Sequence, residues 1–204
     1  MTVEVRGRWT LMGKEPRNGR RLWARVLIDL LTLSRIPLTT AFCAFSLMGE
    51  SLVFRVMLFA LIALSDLLDG RLARRFATQS ALGAVLDVIA DLFFVTAAIA
   101  TLCVLGLLPW WLLCVALLMF VEFVATSLAA RHQCGGRSAL WYDRVGRAVA
   151  VMLYVMPLGA LVLRSVLRNP AYAAVVDVSC TVITVLALVS AALRVKRVLT
   201  SSHI

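Results

Sequence analysis

Acidic residues are scarce in this sequence: 11 Asp and Glu stand against 21 Lys and Arg in 204 residues, and charged residues make up only 16% of the chain. Histidine is scarcer still, with His132 in a loop and His203 at the tail, both expected to be solvated. The five cysteines, Cys43, Cys103, Cys114, Cys134 and Cys180, are odd in number and lack ligand spacing. These absences exclude a disulfide framework and a His/Cys zinc site, and leave the thiols as small apolar side chains. No basic patch is interleaved with exposed aromatics, so the net charge of +10 does not point to nucleic acid, and no nucleic-acid partner is expected. The first 20 residues contain no apolar h-region, so no cleavable signal peptide is expected. Repeats and low-complexity segments are missing too.

Apolar residues are what the chain has in abundance. It is 62% hydrophobic with a mean hydropathy of +0.93, well above the roughly half-apolar make-up of a soluble domain. Lipid is the alternative solvent, in which a spanning helix needs about 20 mainly apolar residues. Six stretches fit: 34–49, 52–75, 79–105, 109–130, 142–164 and 171–194. Ahead of them, Arg21, Arg25, Asp29 and Thr32 recur at helical spacing opposite Leu22, Trp23, Val26, Leu27 and Leu30, the pattern of a helix lying in the interface. The expected fold is all-α and integral to the membrane: six transmembrane helices preceded by an N-terminal interfacial amphipathic helix. Residues 1–20 form a basic cytoplasmic tail and 21–198 a single membrane domain.

Lys and Arg gather in the tail, in the 71–78 turn, in the 131–140 loop and at Arg194, Lys196 and Arg197. The positive-inside bias places these on the cytoplasmic side and the loops near 49–51, 106–109 and 165–170 on the other. Both termini are then cytoplasmic, in a membrane such as the bacterial inner membrane. Trp110, Trp111 and Trp141 fit an aromatic belt.

Four of the 11 acidic residues fall in one window, SDLLDGRLARRFATQSALGAVLDVIAD. A charge at the centre of a span costs about 2.5–3.5 kcal/mol even on lenient scales, so such an accumulation needs cations. Asp66, Asp69, Gly70 and Ala73 follow at i, i+3, i+4 and i+7, and Gly83, Asp87 and Asp91 at i, i+4 and i+8, giving a stripe on each of two helices. Two antiparallel helices joined near 77–80 can bring these stripes face to face. Carboxylate oxygens without His or Cys select hard ions such as Mg²⁺ or Mn²⁺, and two such ions clamp the oxygens of a phosphoryl displacement. Gly70, Ala73 and Gly83 keep the facing surfaces low, leaving room for a nucleotide or diphosphate, and Arg74 can complement phosphate.

The window, DxxDGxxAR(x)8GxxxDxxxD, resembles the signature of the CDP-alcohol phosphotransferase family, integral membrane enzymes of phospholipid synthesis. Eight fixed residues have chance odds on the order of 10⁻¹⁰ per starting position. Upstream, DLLTLSRIP is similar to the family's opening segment, where Thr32 and Arg35 match and Asp29 replaces a common Asn. The resemblance implies that Asp66, Asp69 and Asp87 ligate metal with Asp91, and that Asp91 is also the base that deprotonates the acceptor hydroxyl. It implies a CDP site lined by Gly70, Ala73, Arg74, Gly83 and Thr32, and attack of an alcohol on the β-phosphorus of a CDP-lipid with loss of CMP. The implied partners are a CDP-lipid donor, a small alcohol acceptor, membrane lipids and a second copy of the chain in a homodimer.

Arg131, Arg137, Arg144 and Arg147 border the loop between spans four and five, and read either as topology and headgroup contacts or as an acceptor pocket. If the acceptor carries a phosphate, as glycerol 3-phosphate or inositol phosphate does, Arg144 and Arg147 are the candidates. Leu92 stands where the glycerophosphate-using branch often has Lys. Glu122, deep in the fourth span, is read either as a structural pair or as a neighbour of that pocket. The competing class is a divalent-cation transporter, because intramembrane aspartates also mark ion paths; such a transporter has no need of Gly70, Ala73, Arg74 and Gly83. A lipid-binding protein without activity is disfavoured by the complete set of four carboxylates.

Overall fold

Long runs of Leu, Val, Ala and Phe, interrupted by Gly and Pro mainly at their ends, build helices and nothing else among the described residues. The computed structural model describes residues 16–76, 81–133 and 144–201, with side chains at 30–68, 71, 86–125 and 145–196. In chain order the helices are α1 (Pro16–Leu47), α2 (Leu52–Phe76), α3 (Ala81–Val104), α4 (Trp110–Gln133), α5 (Arg144–Val166) and α6 (Asn169–Ser201). Four carry windows long and apolar enough to cross a bilayer: Leu30–Leu47, Leu86–Val104, Val145–Val166 and Asn169–Lys196. This is the make-up of an integral membrane protein. In α4 the apolar stretch, Trp110–Ala125, is shorter, and α2 carries Arg55, Asp66, Asp69, Arg71, Arg74 and Arg75.

Five of the helices lie close to the expected spans, but the first differs. α1 runs unbroken for 32 residues through the boundary expected near 33, so the 21–32 segment and the first span are one helix. The junction sequence, Leu31 to Ser34, holds neither Gly nor Pro to stop it. Pro37 sits further on, inside the helix, at the cost of one backbone hydrogen bond.

The turns at 48–51 and 105–109 stop their helices by the same means. Gly49 and Gly106 adopt φ of 72° and 68°, the left-handed conformation that glycine enters without a Cβ clash. Glu50 N donates to Phe45 O at 3.2 Å and Leu107 N to Leu102 O at 2.8 Å, closing the last helical carbonyls in a Schellman arrangement. Ser51 Oγ then accepts from Phe54 N at 3.4 Å as α2 begins. Tyr172 on α6 donates to Leu107 O at 2.7 Å and so ties the α3–α4 turn to the last helix.

α1 buries a largely polar stripe and turns apolar side chains outward. On α1 the buried stripe is Thr32, Arg35, Thr39, Phe42 and Ser46, while Leu30, Leu33, Ile36 and Leu47 are exposed. The buried positions recur at i, i+3, i+7, i+10 and i+14, a 3.5-residue seam that keeps one face against its neighbours. That seam packs on both α2 and α3, so α1 lies against each of them; α5 packs on α6, α3 and α2, and α4 on α6 and α3. Ala90 and Ala98 on α3 are buried small residues of the kind that let membrane helices approach closely. Phe42, Phe59, Phe94 and Tyr154 join α1, α2, α3 and α5 in an aromatic cluster, with Phe94 centroids 6.2 Å from Phe42, 5.7 Å from Phe59 and 4.8 Å from Tyr154.

Three substitutions test this description in detergent unfolding experiments. Gly106→Ala is expected to lose about 1–2 kcal/mol for the left-handed backbone. No atom lies within 4 Å of the added methyl, so a loss far above that range would contradict a purely conformational cause. Gly159→Ala, helical and equally uncrowded, is expected to gain stability. Phe94→Ala is expected to cost about 3 kcal/mol, the low end for a buried ring, because lipid gives no hydrophobic drive between helices.

Candidate functional site

Arg35 is the sole charged residue between Leu30 and Leu47, and an arginine in such a span needs an acid. It finds three. Its Nη2 lies 3.0 Å from Asp66 Oδ1 on α2 and 3.1 Å from Asp87 Oδ1 on α3, and its Nη1 lies 2.5 Å from Asp91 Oδ1 on α3. Asp66, Asp87 and Asp91 each offer a carboxylate oxygen within 4.8 Å of the other two.

Helical spacing explains the convergence. Asp87 and Asp91 share a face of α3 with Phe94, one turn further on. Asp66 lies four residues beyond the buried Ile62 on α2, and Arg35 seven residues before Phe42 on α1. The aromatic cluster therefore closes the site on its inner side, and the carboxylates stand one turn outward.

Burial divides the partners sharply. The Arg35 side chain is 0% exposed, whereas those of Asp66, Asp87 and Asp91 are 36%, 46% and 43% exposed. The cation forms a floor, and the carboxylates reach from it toward an open side. With an effective dielectric of ~20, two carboxylates at this separation repel by roughly 3.5 kcal/mol, and each gains roughly 4 kcal/mol from a guanidinium at ion-pair distance. Three attractions therefore roughly cancel three repulsions, and solvent on the open side weakens both alike. The formal charge of the group is three negative against one positive, a net of −2. An oxygen-only set with that residual charge fits a hard divalent cation in donor type, number and sign.

The sequence expectations map onto this geometry unevenly. Asp66, Asp87 and Asp91 are brought together as expected. Thr32 is buried on the same seam as Arg35, one turn earlier, and Arg147 is exposed near the start of α5. The side chains of Asp69, Gly70, Ala73 and Arg74 on α2, Gly83 on α3, Arg131 at the end of α4 and Arg144 at the start of α5 lie outside the described residues, as does Arg137 entirely. The structure adds a partner to the expected carboxylates: α1 sets Arg35 against Asp66 of α2 and against Asp87 and Asp91 of α3. Its solitary charge in an apolar window was the signal available in the sequence. Cys43, Cys103, Cys114 and Cys180 are free thiols, Cys134 lies outside the described residues, and Glu122 is half-buried on α4.

A cavity of about 550 Å³ lined by Leu107, Arg164, Asn169, Tyr172 and Asp177, among others, belongs to the other end of the bundle. Its nearest α3-linked residue, Leu105, is 14 positions past Asp91, about 21 Å along a helix.

The chain is similar in sequence to several known proteins. The chain is 32% identical over 140 residues to a Mycobacterium tuberculosis protein named "Probable phosphatidylglycerophosphate synthase", covering 65% of this chain and 66% of that protein, a little under two thirds of its length. It is 38% identical over 88 residues to a Cereibacter sphaeroides CDP-diacylglycerol--glycerol-3-phosphate 3-phosphatidyltransferase, covering 43% of this chain and 39% of that one. It is 30% identical over 105 residues to a Drosophila melanogaster protein named "Probable cardiolipin synthase (CMP-forming)", covering 51% and 32% respectively. The sequence model of the CDP-alcohol phosphatidyltransferase family matches residues 25–190, a stretch that contains α2 to α5, most of α1 and α6, and every residue of the carboxylate site: the chain belongs to the CDP-alcohol phosphatidyltransferase family.

Proposed function

We propose that this chain transfers a phosphatidyl group from a CDP-linked lipid such as CDP-diacylglycerol to an alcohol, releasing CMP. The observation that carries the reading is the convergence of Asp66, Asp87 and Asp91 within 4.8 Å, at the spacing of the family signature and inside an apolar bundle where three carboxylates outnumber the one guanidinium they share.

In this reading Asp66, Asp69, Asp87 and Asp91 hold Mg²⁺ or Mn²⁺, two ions in all. The metal supplies charge neutralisation at the diphosphate. Gly70, Ala73, Arg74, Gly83 and Thr32 line the CDP site, where backbone close to the ligand and the Arg74 fork orient the diphosphate. Asp91 takes the proton of the acceptor hydroxyl; that oxygen bonds to the β-phosphorus, and the bond to the CMP oxygen breaks. Positioning of the two reactants contributes the rest.

For the acceptor, the named activities of the Mycobacterium and Cereibacter relatives favour glycerol 3-phosphate over inositol phosphate. A phosphate on the acceptor also gives Arg131, Arg137, Arg144 and Arg147 a role. The name of the Drosophila relative, a probable cardiolipin synthase (CMP-forming), supports the release of CMP. All six helices span the membrane, the N-terminal part of α1 lies at the interface, the site opens to the cytoplasm beside the basic loops, and two copies form a homodimer.

The assay is CMP release from CDP-diacylglycerol by purified protein with Mg²⁺, offered glycerol 3-phosphate or inositol phosphate. Turnover is expected with glycerol 3-phosphate and is expected to vanish with EDTA. Asp91→Asn is expected to lower the rate by about 10²–10⁴-fold, the usual worth of a general base. Absence of metal-dependent turnover with every acceptor would sink the reading, and full activity in Asp91→Asn would remove the base role.

A further inference from the structure

The carboxylate site contains a cation of its own, and burial and geometry together give it a purpose. Arg35 sets Nη2 against Oδ1 of Asp66 and Asp87 and Nη1 against Oδ1 of Asp91. The guanidinium approaches from the buried side while the three carboxylates keep a third or more of their side-chain surface exposed on the other. A divalent cation arriving from outside therefore meets acids already gathered, with a fixed positive charge behind them.

We propose that Arg35 is a positioning residue that acts as the built-in counter-ion of the site. It holds the three aspartates of α2 and α3 together in the metal-free protein, and its charge weakens divalent-cation binding there. The inference rests on the reading of the cluster as a divalent-cation centre. Two consequences of opposite sign follow from one group. Without Arg35, the three carboxylates repel with nothing between them, so the metal-free protein loses stability. The same removal deletes a repulsive charge beside the incoming cation, so the cation binds more tightly. A residue that only packed α1 against its neighbours would lower stability with and without metal alike and would leave affinity unchanged or reduced.

The experiment compares wild type, Arg35→Gln and Arg35→Lys, all purified in detergent with Mg²⁺ and then exchanged into EDTA or Mn²⁺. Thermal unfolding is read in both buffers, and Mn²⁺ affinity from the free-ion paramagnetic resonance signal. For Arg35→Gln the expected result is a melting temperature several degrees below wild type in EDTA, with most of that gap closed by saturating Mn²⁺. Its Mn²⁺ affinity is expected to rise on the order of 10-fold or more. Arg35→Lys keeps the charge and is expected to stay near wild type in Mn²⁺ affinity. Equal loss of stability in the two buffers, unchanged or weaker Mn²⁺ binding in Arg35→Gln, or an Arg35→Gln protein that stays unfolded even in saturating Mn²⁺ while Arg35→Lys folds, would each overturn the inference. Wild-type protein with no saturable Mn²⁺ binding would instead overturn the metal-centre reading on which it rests.

Discussion

A guanidinium with no exposed surface, set among carboxylates from two other helices, fixes how the first three helices meet. In lipid, apolar side chains gain nothing by leaving one another's company for acyl chains, so packing alone specifies helix register weakly. An ion pair in that solvent is different. Sliding α1 by one residue turns Arg35 through about 100°, away from Asp66, Asp87 and Asp91, and leaves four charges without partners. Register, rotation and depth of α1 against α2 and α3 therefore follow from a single side chain. The close approach of Asp66 to the two aspartates of α3 follows with them.

Several other hydroxyls are kept from competing with this cluster by bonding within their own helix. Thr96, Thr101 and Thr184 donate to the carbonyls of Leu92, Ala97 and Cys180 one turn back, at 2.7, 2.8 and 2.8 Å, and Ser65 to Ile62 O at 2.7 Å. Such back-bonding lets hydroxyls sit in apolar helices without a partner from another helix. Apolar contacts then fill the middle of the bundle, where Phe94 and Tyr154 meet at 4.8 Å. The energetic division is clear: aromatic packing supplies contact area, and the Arg35 cluster supplies specificity.

Much of this was legible in the sequence. The turns at Gly49 and Gly106 were visible because left-handed helix ends demand glycine, and α2 to α6 followed from the length and spacing of apolar runs. The convergence of Asp66, Asp87 and Asp91 followed from helical spacing and the rarity of acids in such runs. Two features were not legible, for separate physical reasons. The single length of α1 was hidden because a change of composition, from basic to apolar near Leu30, was read as a change of element, whereas only Gly, Pro or a capping group ends a helix. The place of α1 between the two acidic stripes was hidden because periodicity along one helix says nothing about which helix comes to lie against it. Arg35 held that information, but an isolated charge names the kind of partner it needs without naming the partner.

The same residue bears on the contest between transport and transfer. A cation path has to continue beyond its binding site, through groups that replace lost water. Inward of Asp66, Asp87 and Asp91 stand first the Arg35 guanidinium and then Phe42, Ile62 and Phe94, each 0% exposed. A cation moving that way meets a like charge and then a packed, mainly apolar layer without a carboxylate among its described residues. The carboxylates themselves keep a third or more of their side-chain surface exposed, away from that layer. A charged floor beneath exposed carboxylates suits the transfer proposed above, in which a diphosphate is held and leaves at the exposed face, with the arginine of the floor limiting how firmly cations bind beside it.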